Sequence, residues 1–448
     1  MQYRSKVACI FLLGFFIDCI NIFMSAIAFP AMSTLFQLTQ VEAAWISNSY
    51  ILGLCLIIPM SIGLANLFNT RRVLLGSTAI FALSSFMVGS ADSFNSLVIW
   101  RFIQGLSGGL IIPVGQALTF NLYQGNDRVK ISTLIMMTAL IAPALSPMLG
   151  GWVIDISSWR WVFYSHLPMI LLLLLLIYIW LKPEQLGTLQ RPDYCGILLI
   201  SLALSSLLIC LTLLGQSQST LSIALAVFST VLFSGAYIYY AKRHTSPVVE
   251  LKLLKNIKLK VSIWVYLAVP GVFTGVNILS IFLLHDVLHL TAAQTGSFML
   301  LYAFMALVAM LLVRRYYQQF TAKKLFYAAV IIHSLGILSL AWVESTQSVV
   351  WVSVAYLAMG FGGGLAANTA QSTALLDFPE QLLPQASVIW NINRQISFSL
   401  GSAVLLMLFY LLQQKLPQLQ LLQLYHLIFI IAALIGSLPI FILYQLKD

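Results

Sequence analysis

Charged residues are scarce in this chain of 448 residues. They make up 8% of the sequence and hydrophobic residues make up 60%, whereas a soluble globular domain carries about 25% charged residues. A soluble chain of this length would fold as two or three domains, each with a polar surface. Because there are too few charges to cover such surfaces, the composition excludes an ordinary soluble protein.

Other absences narrow the range of functions. No Gly-Lys dipeptide occurs, so the P-loop that an ATP-driven pump needs is missing. No HxxxxD-type pair, metal-ligand cluster or long catalytic loop is present, which disfavours a polytopic membrane enzyme such as a lipid-modifying transferase. We therefore predict no catalytic residue, no cofactor and no metal.

Cysteines are also few, and their positions exclude a disulfide framework. All of them lie in or at the edge of apolar stretches, where they serve as small apolar residues. The five are Cys9, Cys19, Cys55, Cys195 and Cys210.

The net charge of +10 does not indicate a nucleic-acid partner, because the basic residues lie in short loops between apolar stretches and form no patch. Those stretches are about twenty residues long, the length that crosses a bilayer as a helix. We count fourteen such spans, so the predicted fold class is an all-α membrane protein embedded in a lipid bilayer. The spans lie near 7–29, 44–65, 73–90, 95–121, 130–154, 161–181, 194–214, 220–240, 261–284, 295–313, 324–342, 348–373, 386–411 and 423–445.

The first span could be confused with a secretory signal peptide, because basic residues precede it and Ala-Ile-Ala at 26–28 resembles a cleavage site. Its apolar run is too long for a signal peptide and further spans follow. We therefore interpret residues 7–29 as the first transmembrane helix.

The distribution of basic residues predicts the orientation of the spans. Of the 23 lysines and arginines, Arg101 and Arg394 lie within spans, Arg160 and Lys415 fall on one side, and the other nineteen fall on the side of the termini. By the positive-inside rule both termini are cytoplasmic. The predicted location is the cell inner (plasma) membrane.

The loop at 242–260 is the most basic stretch of the chain. It is typical of a cytoplasmic loop next to the membrane, and a segment that binds anionic lipid is the alternative.

A repeat divides the chain. Gly105-Leu-Ser-Gly-Gly-Leu in span 4 returns as Gly360-Phe-Gly-Gly-Gly-Leu in span 12, an offset of 255 residues (360 − 105). Parallel six-span halves are known from one large class of transporters. The repeat predicts a six-helix bundle at 1–182, a two-helix insert with its linker at 183–244 and a second six-helix bundle at 245–448, with the substrate cavity between the bundles and the insert outside it.

Several segments carry a resemblance to a known family. Residues 43–50 read AAWISNSY, 101–105 read RFIQG, 159–163 read WRWVF and 391–395 read NINRQ. Span 5 reads A-x-x-x-S-P-x-x-G-G, similar to the antiporter signature G-x-x-x-G-P-x-x-G-G. The chain resembles the drug/proton antiporters of the major facilitator superfamily with fourteen transmembrane helices, over nearly its whole length.

The resemblance implies a secondary active transporter, most similar to those that export drugs or other amphipathic small molecules in exchange for protons by alternating access. A dedicated exporter of a single metabolite, such as a siderophore or a lipid-like compound, is the alternative. We expect a small-molecule substrate, protons and the bilayer as partners, and a monomer. Small residues and a proline in the span 5 signature are expected to allow close helix packing: Ala142, Ser146, Pro147, Gly150 and Gly151. The resemblance associates this packing with exporters, and ordinary tight helix packing is the alternative.

The chain departs from the family in two places. In the loop between spans 2 and 3, Asn66 replaces an acid, Leu67 an arginine and Asn69 a glycine, which predicts a weakened cytoplasmic gate. In span 1 the family's usual acid falls at Asn21, and the acid present is Asp18, one helical turn earlier.

Asp18 is the one acid predicted to lie deep within a span. Together with Asn21 and Ser25 it forms a polar stripe on one helix face, and an ionisable residue at this depth is costly and usually functional. We predict that Asp18 couples transport to protons, with a structural salt bridge as the alternative. Asn21 and Ser25 are predicted to line the substrate cavity.

Arg101 and Gln104 share a face of span 4. Arg101 is predicted to relay protons or line the cavity, with helix packing as the alternative, and Gln104 to line the cavity. His333 is expected to be a hydrogen-bonded interior residue. Further cavity candidates come from the C-terminal half: Asn277, Asn368, Gln371, Trp390, Asn391 and Arg394. For Trp390 a lipid-facing position is the alternative, and for Arg394 it is packing and hydrogen bonding to helix ends.

The embedded charges also predict substrate charge. Arg101 and Arg394 against Asp18 leave a net positive charge in a setting where charges are weakly screened. We therefore expect neutral, zwitterionic or anionic substrates rather than permanent cations.

Overall fold

A computed structural model of the protein describes residues 2–123, 126–184, 193–215, 219–244, 247, 249–316, 320–345, 349–378 and 382–446. Within these residues the regular secondary structure is helical throughout. The predicted all-α membrane fold is confirmed.

The helices of the first half, which ends before the predicted insert, are α1 Tyr3–Ile27, α2 Phe29–Phe36, α3 Gln40–Ile57, α4 Ser61–Phe68, α5 Thr70–Gly89, α6 Phe94–Leu122, α7 Asn126–Ile156, α8 Arg160–Tyr164 and α9 Leu167–Trp180. The insert and the second half contain α10 Tyr194–Gly215, α11 Thr220–Arg243, α12 Ile257–Tyr266, α13 Val272–Phe282, α14 Ala292–Tyr316, α15 Ala322–Ser339, α16 Val349–Thr373, α17 Leu383–Lys415, α18 Leu421–Ser437 and α19 Ile440–Leu443. A π-helical turn at Leu267–Gly271, which contains Pro270, joins α12 to α13.

Twelve helices in the described part of the chain are long and apolar enough to cross a membrane. Two of the predicted spans, 44–65 and 130–154, are not among them, although helices α3, α4 and α7 occupy those stretches. The count of fourteen spans is therefore not confirmed and stays a prediction.

Contacts between residues divide the chain into two compact units. Unit 1 comprises Met1–Leu38, Trp45–Pro192 and Thr291–Gly296, and unit 2 comprises Thr39–Ala44, Asp193–Leu290 and Ser297–Asp448. Helices α10 and α11 of the predicted insert fall in unit 2, where α10 packs on α17. The predicted division at 182 and 244 stays a prediction.

Glycines allow the closest helix approaches inside each unit. In unit 1, a Cβ added at Gly105 of α6 would lie 2.0 Å from the carbonyl oxygen of Tyr50 in α3. In unit 2, a Cβ at Gly360 of α16 would lie 2.1 Å from the carbonyl oxygen of Tyr302 in α14. The two glycines of the sequence repeat therefore perform the same packing role, since only glycine lets the backbones come this close.

The turn between α4 and α5 depends on Asn69. Its φ angle is 70°, a conformation that glycine adopts more readily than other residues. The Asn69 side chain accepts hydrogen bonds from the backbone nitrogens of Arg71 and Arg72, at 2.9 and 3.4 Å, and so caps α5. Asparagine thus replaces the family's glycine here while satisfying the free amides of the helix.

Candidate functional site

The polar stripe of α1 is buried in unit 1. Asp18, Asn21 and Ser25 are 2%, 1% and 0% exposed. The hydroxyl of Tyr50, on α3, donates a hydrogen bond to the Asp18 carboxylate. The stripe that helical spacing predicted therefore lies against a second helix, which supplies a partner for the acid.

Arg101 of α6 reaches the same stripe. Its Nη1 donates to Asn21 Oδ1 at 3.1 Å, and its Nη2 donates to Ser25 Oγ at 3.3 Å. Its Nε donates to the carbonyl oxygen of Ile46 in α3 at 2.8 Å. The guanidinium carbon lies 4.5 Å from the centre of the Tyr50 ring, a cation–π contact. Tyr50 thus touches the arginine through its ring and the carboxylate through its hydroxyl.

Gln104 extends this network one helical turn along α6. It accepts a hydrogen bond from Arg101 Nη1 at 2.7 Å and donates one to Ser85 Oγ of α5 at 2.7 Å. The amide nitrogen of Asn21 is buried without a hydrogen-bond partner among the described residues. A buried donor without a partner is uncommon in folded proteins.

This arrangement has a definite chemical capacity. A carboxylate and a guanidinium in a membrane interior are costly to bury unless they are hydrogen-bonded, and here both are. Protonating Asp18 removes its negative charge and leaves Arg101 with its positive charge, so proton binding changes the electrostatic field of the stripe. Geometry and chemistry suit a proton site, and the coupling role of Asp18 and Arg101 stays a prediction.

The span 5 signature lies on α7, where Ala142, Ser146, Pro147, Gly150 and Gly151 are all buried. A Cβ at Gly150 would lie 2.6 Å from the side chain of Met24 in α1, and one at Gly151 would lie 2.3 Å from the carbonyl oxygen of Ala292. The close packing that the small residues predicted is therefore present within unit 1.

Asp155 adds a hydrogen-bonded contact at the end of the same helix. Its carboxylate accepts from the backbone nitrogens of Ala292 and Ala293, at 3.2 and 3.0 Å, and so caps the start of α14. This role could not be predicted from the sequence, because it depends on a contact between residues 137 positions apart.

The candidates in unit 2 are only partly brought together. Asn277 Oδ1 accepts from the hydroxyl of Tyr356 at 3.0 Å, and Ser280 Oγ lies 2.7 Å from the same hydroxyl. Trp390 Nε1 donates to Gln371 Oε1 at 2.7 Å. These are two separate neutral pairs on different helices.

The remaining candidates of unit 2 make fewer contacts. Asn368 donates to the carbonyl oxygen of Gly364 in its own helix at 2.7 Å. Arg394 is half-buried and has no hydrogen bond to another described residue, and the side chain of Asn391 lies outside the described residues. His333 is 0% exposed, as expected of an interior residue, but neither ring nitrogen has a partner among the described residues, so the expected hydrogen bond is not found.

Three buried polar residues were not identified as site candidates from the sequence. Tyr50 and Tyr356 were not assigned because tyrosine is common in membrane helices, and only packing reveals what their hydroxyls contact. His166, at the start of α9, is 3% exposed with both ring nitrogens unpartnered within the described part of the chain. Its position within an apolar span was the available signal.

Known proteins resemble this chain in sequence and in structure. The sequence profile described as Major Facilitator Superfamily matches residues 11–402. "Probable transport protein HsrA" of Haemophilus influenzae is 24% identical over 378 residues, which cover 84% of this chain and 81% of that protein. "Multidrug export protein EmrB" of the same organism is 25% identical over 404 residues, covering 89% and 79%.

A crystal structure of a POT family transporter in complex with 5-aminolevulinic acid has the same fold. It superposes with a TM-score of 0.72 at 14% identity, and the match covers 100% of both chains.

Proposed function

Because the chain belongs to the Major Facilitator Superfamily, we propose that it exports drugs or other amphipathic small molecules in exchange for protons by alternating access. Membership makes it a multi-pass membrane transporter of small molecules rather than an enzyme. Export of drugs is supported by the likeness to a multidrug export protein, and the direction of transport rests on that likeness and on the span 5 signature.

Proton coupling is carried by one observation, the buried contact of Asp18 with Tyr50 beside Arg101. Asp18 supplies a group that can gain and lose a proton, and Arg101 supplies a fixed positive charge. A proton carrier needs this combination, since burial favours the neutral acid while a nearby positive charge favours the carboxylate.

The finer topology is part of the proposal. We infer fourteen spans, arranged as two six-helix bundles and a two-helix insert, because helices also occupy the two stretches outside the twelve apolar helices. The distribution of lysine and arginine favours both termini in the cytoplasm and insertion into the inner membrane. We further propose that the protein works as a monomer.

The substrates are proposed to lack a permanent positive charge. Arg101 is fully buried and Arg394 half-buried, and in a low-dielectric setting two guanidinium groups oppose the entry of a cation. Neutral, zwitterionic and anionic amphiphiles do not meet that barrier.

The test is uptake into inverted membrane vesicles that contain the protein. Vesicles with an imposed pH gradient receive matched cationic, neutral and anionic analogues of one fluorescent amphiphile, and a K⁺/H⁺-exchanging ionophore collapses the gradient in the control. We expect gradient-dependent uptake of the neutral and anionic analogues. Uptake that survives collapse of the gradient would rule out proton exchange, and preferred uptake of the cation would contradict the proposed substrate charge.

A further inference from the structure

An apolar groove runs along the outside of unit 1, between α3, α4, α5 and α6. Its volume is about 550 Å³, and its lining includes Phe68, which is 54% exposed, and Ile80, which is 48% exposed. Ile80 lies within α5, one of the helices long and apolar enough to cross a membrane. We therefore infer that the groove is open to the hydrocarbon region of the bilayer.

One end of this groove is charged. Arg72, in the first turn of α5, belongs to its lining, and Ile80 lies eight residues further along the same helix. At about 1.5 Å per residue the groove extends about 12 Å from the arginine into the membrane. A cationic head above an apolar channel of this length complements a lipid with an anionic headgroup.

Arg72 differs from its neighbour Arg71, whose side chain packs against the protein. Arg71 Nη2 donates to the carbonyl oxygen of Tyr178 at 2.6 Å, and its guanidinium lies 5.3 Å from the centre of the Tyr178 ring. The Arg72 side chain is exposed and forms no ion pair or hydrogen bond with any residue that the structure describes. Its guanidinium is therefore available to an external anion.

We propose that the groove binds one anionic glycerophospholipid, whose phosphate pairs with Arg72 and whose acyl chain lies against α4, α5 and α6. Arginine forms bidentate hydrogen bonds with phosphate, and a basic residue near a membrane surface contributes about 1 kcal/mol of attraction to anionic lipid. The inference does not rest on the proposed function, because it concerns the lipid-facing surface of unit 1.

Gly76 provides a way to close the groove. It belongs to the lining, and a Cβ added there would meet no atom within 4 Å. The position therefore accepts a Cβ, and phenylalanine is chosen there to occupy the channel. Gly235 in α11 is the matched control, since a Cβ there also meets no atom within 4 Å and the residue lies outside the groove.

The experiment is native mass spectrometry of the full-length protein in detergent, titrated separately with palmitoyl-oleoyl phosphatidylglycerol, palmitoyl-oleoyl phosphatidylcholine and inorganic phosphate. We expect the wild type to bind phosphatidylglycerol about fivefold more tightly than phosphatidylcholine, the preference that one basic residue near the surface provides. Arg72→Gln should remove this preference, Gly76→Phe should weaken binding of both lipids, and Gly235→Phe should behave as the wild type.

Several results would overturn the assignment. Equal binding of the two lipids by the wild type, or an unchanged preference in Arg72→Gln, would mean that Arg72 does not select the headgroup. Unchanged binding in Gly76→Phe would place the lipid elsewhere. Inorganic phosphate bound as tightly as phosphatidylglycerol would identify a free anion as the ligand, and a dimer lost in Gly76→Phe would identify a second copy of the chain as the occupant. Size-exclusion chromatography of each variant confirms that it is folded.

Discussion

The two units bury polar networks at corresponding positions of the repeat, and the networks differ in charge. In unit 1, Arg101 donates hydrogen bonds to Asn21 and Ser25. In unit 2, 255 residues later, Tyr356 takes the place of Arg101 and hydrogen-bonds to Asn277 and Ser280. In each unit one side chain from a glycine-rich helix hydrogen-bonds to two polar residues. In unit 1 it is a cation that donates to both, and in unit 2 it is a neutral hydroxyl that donates to Asn277 and lies within hydrogen-bond distance of Ser280.

The correspondence extends to the acid. Counting 255 residues from Asp18 leads to Phe273, and Tyr302 of unit 2 contacts the repeat glycines of α16 as Tyr50 contacts those of α6. Tyr50 donates to the Asp18 carboxylate, whereas the Tyr302 ring stacks on Phe273 with centroids 4.1 Å apart. Tyr50 therefore hydrogen-bonds to an ionisable group in unit 1, whereas Tyr302 makes an aromatic stack in unit 2.

Packing and chemistry are therefore separable in this chain. Close approach at glycine and contact with tyrosine recur in both units, so they belong to the shared helical framework. Of the two networks, as the structure describes them, that of unit 1 carries charged side chains and that of unit 2 is neutral. Because buried charge is costly, we infer that the charge of the unit 1 network is kept for proton coupling. Matched substitutions in the two units can separate the effect of the shared framework from that of the charge found in unit 1.

Loss of the glycine contacts should have the largest effect, and it should be similar in both units. Gly105→Val and Gly360→Val each force a side chain into a backbone carbonyl at 2.0 and 2.1 Å, so each should destabilise the protein by about 3 kcal/mol. Thermal unfolding in detergent measures this, with Gly235→Val as the control that meets open space. A large loss in only one unit would show that the repeat is not a shared framework.

Replacing Arg101 in unit 1 should reduce the transport rate more than replacing Tyr356 in unit 2. Arg101→Met leaves Asn21, Ser25 and Gln104 without the partner that holds them and removes the charge proposed to act in coupling, so we expect transport to fall about a hundredfold. Tyr356→Phe removes a neutral hydroxyl and should reduce the rate by no more than about tenfold. Vesicle uptake at equal protein levels measures both, and equal losses would argue against a special role for the charge.

Removing the hydroxyl of Tyr50 should also reduce the transport rate more than removing that of Tyr302. The difference between these two variants should be smaller than that between Arg101→Met and Tyr356→Phe. Tyr50→Phe loses a hydrogen bond to a carboxylate, which contributes about 1.5 kcal/mol or more, so transport should fall about tenfold. Tyr302→Phe keeps the ring stack, and the Tyr302 hydroxyl has no hydrogen-bond partner among the described residues, so transport should stay near the wild-type rate. If Tyr302→Phe were the more damaging variant, the assignment of Tyr50 would be wrong.

The ion pair of unit 2 between Lys258 and Asp377 should have the smallest effect. Lys258 Nζ donates to Asp377 Oδ1 at 2.6 Å, and both side chains are about 40% exposed. Asp377→Asn should therefore cost less than about 1 kcal/mol in stability. A larger loss would mean that this exposed pair supports the fold as much as a buried one.

The pH dependence of that pair follows from its pKa. The hydrogen bond from Lys258 lowers the pKa of Asp377 below its ordinary value of 3.8, so the folded state favours the carboxylate. The stabilisation is present above this ordinary value and is lost as pH falls through the lower pKa of the folded state. Thermal unfolding at pH 7 should distinguish Asp377→Asn from the wild type, and the difference should vanish in acid.

The helical framework of the fold could be predicted from the sequence more completely than the contacts within the site. Helical spacing placed Asp18, Asn21 and Ser25 on one face, and the glycine motifs at Gly105 and Gly360 revealed the internal repeat. These features depend on local periodicity, which a sequence displays directly.

Contacts between distant helices were beyond the same reasoning. The partner of Asp18 is Tyr50, 32 residues away, and its identity depends on how α1 and α3 rotate against each other. The expected hydrogen bond of His333 failed for the same reason, because a polar residue in a span reveals its burial but not its neighbours. The number of spans depends on broken and weakly apolar helices such as α3, α4 and α7. For these helices, length and hydropathy do not decide whether they cross the membrane.

The most direct test of the account is proton-driven uptake by Asp18→Asn, compared with Asn277→Ala in the neutral network. Both variants are reconstituted at equal density in vesicles, and uptake of one amphiphile is measured with and without a pH gradient. We expect Asp18→Asn to lose the stimulation by the gradient while still binding the amphiphile, and Asn277→Ala to keep the stimulation. Gradient-stimulated uptake by Asp18→Asn at the wild-type level would contradict the claim that the charge of unit 1 couples transport to protons.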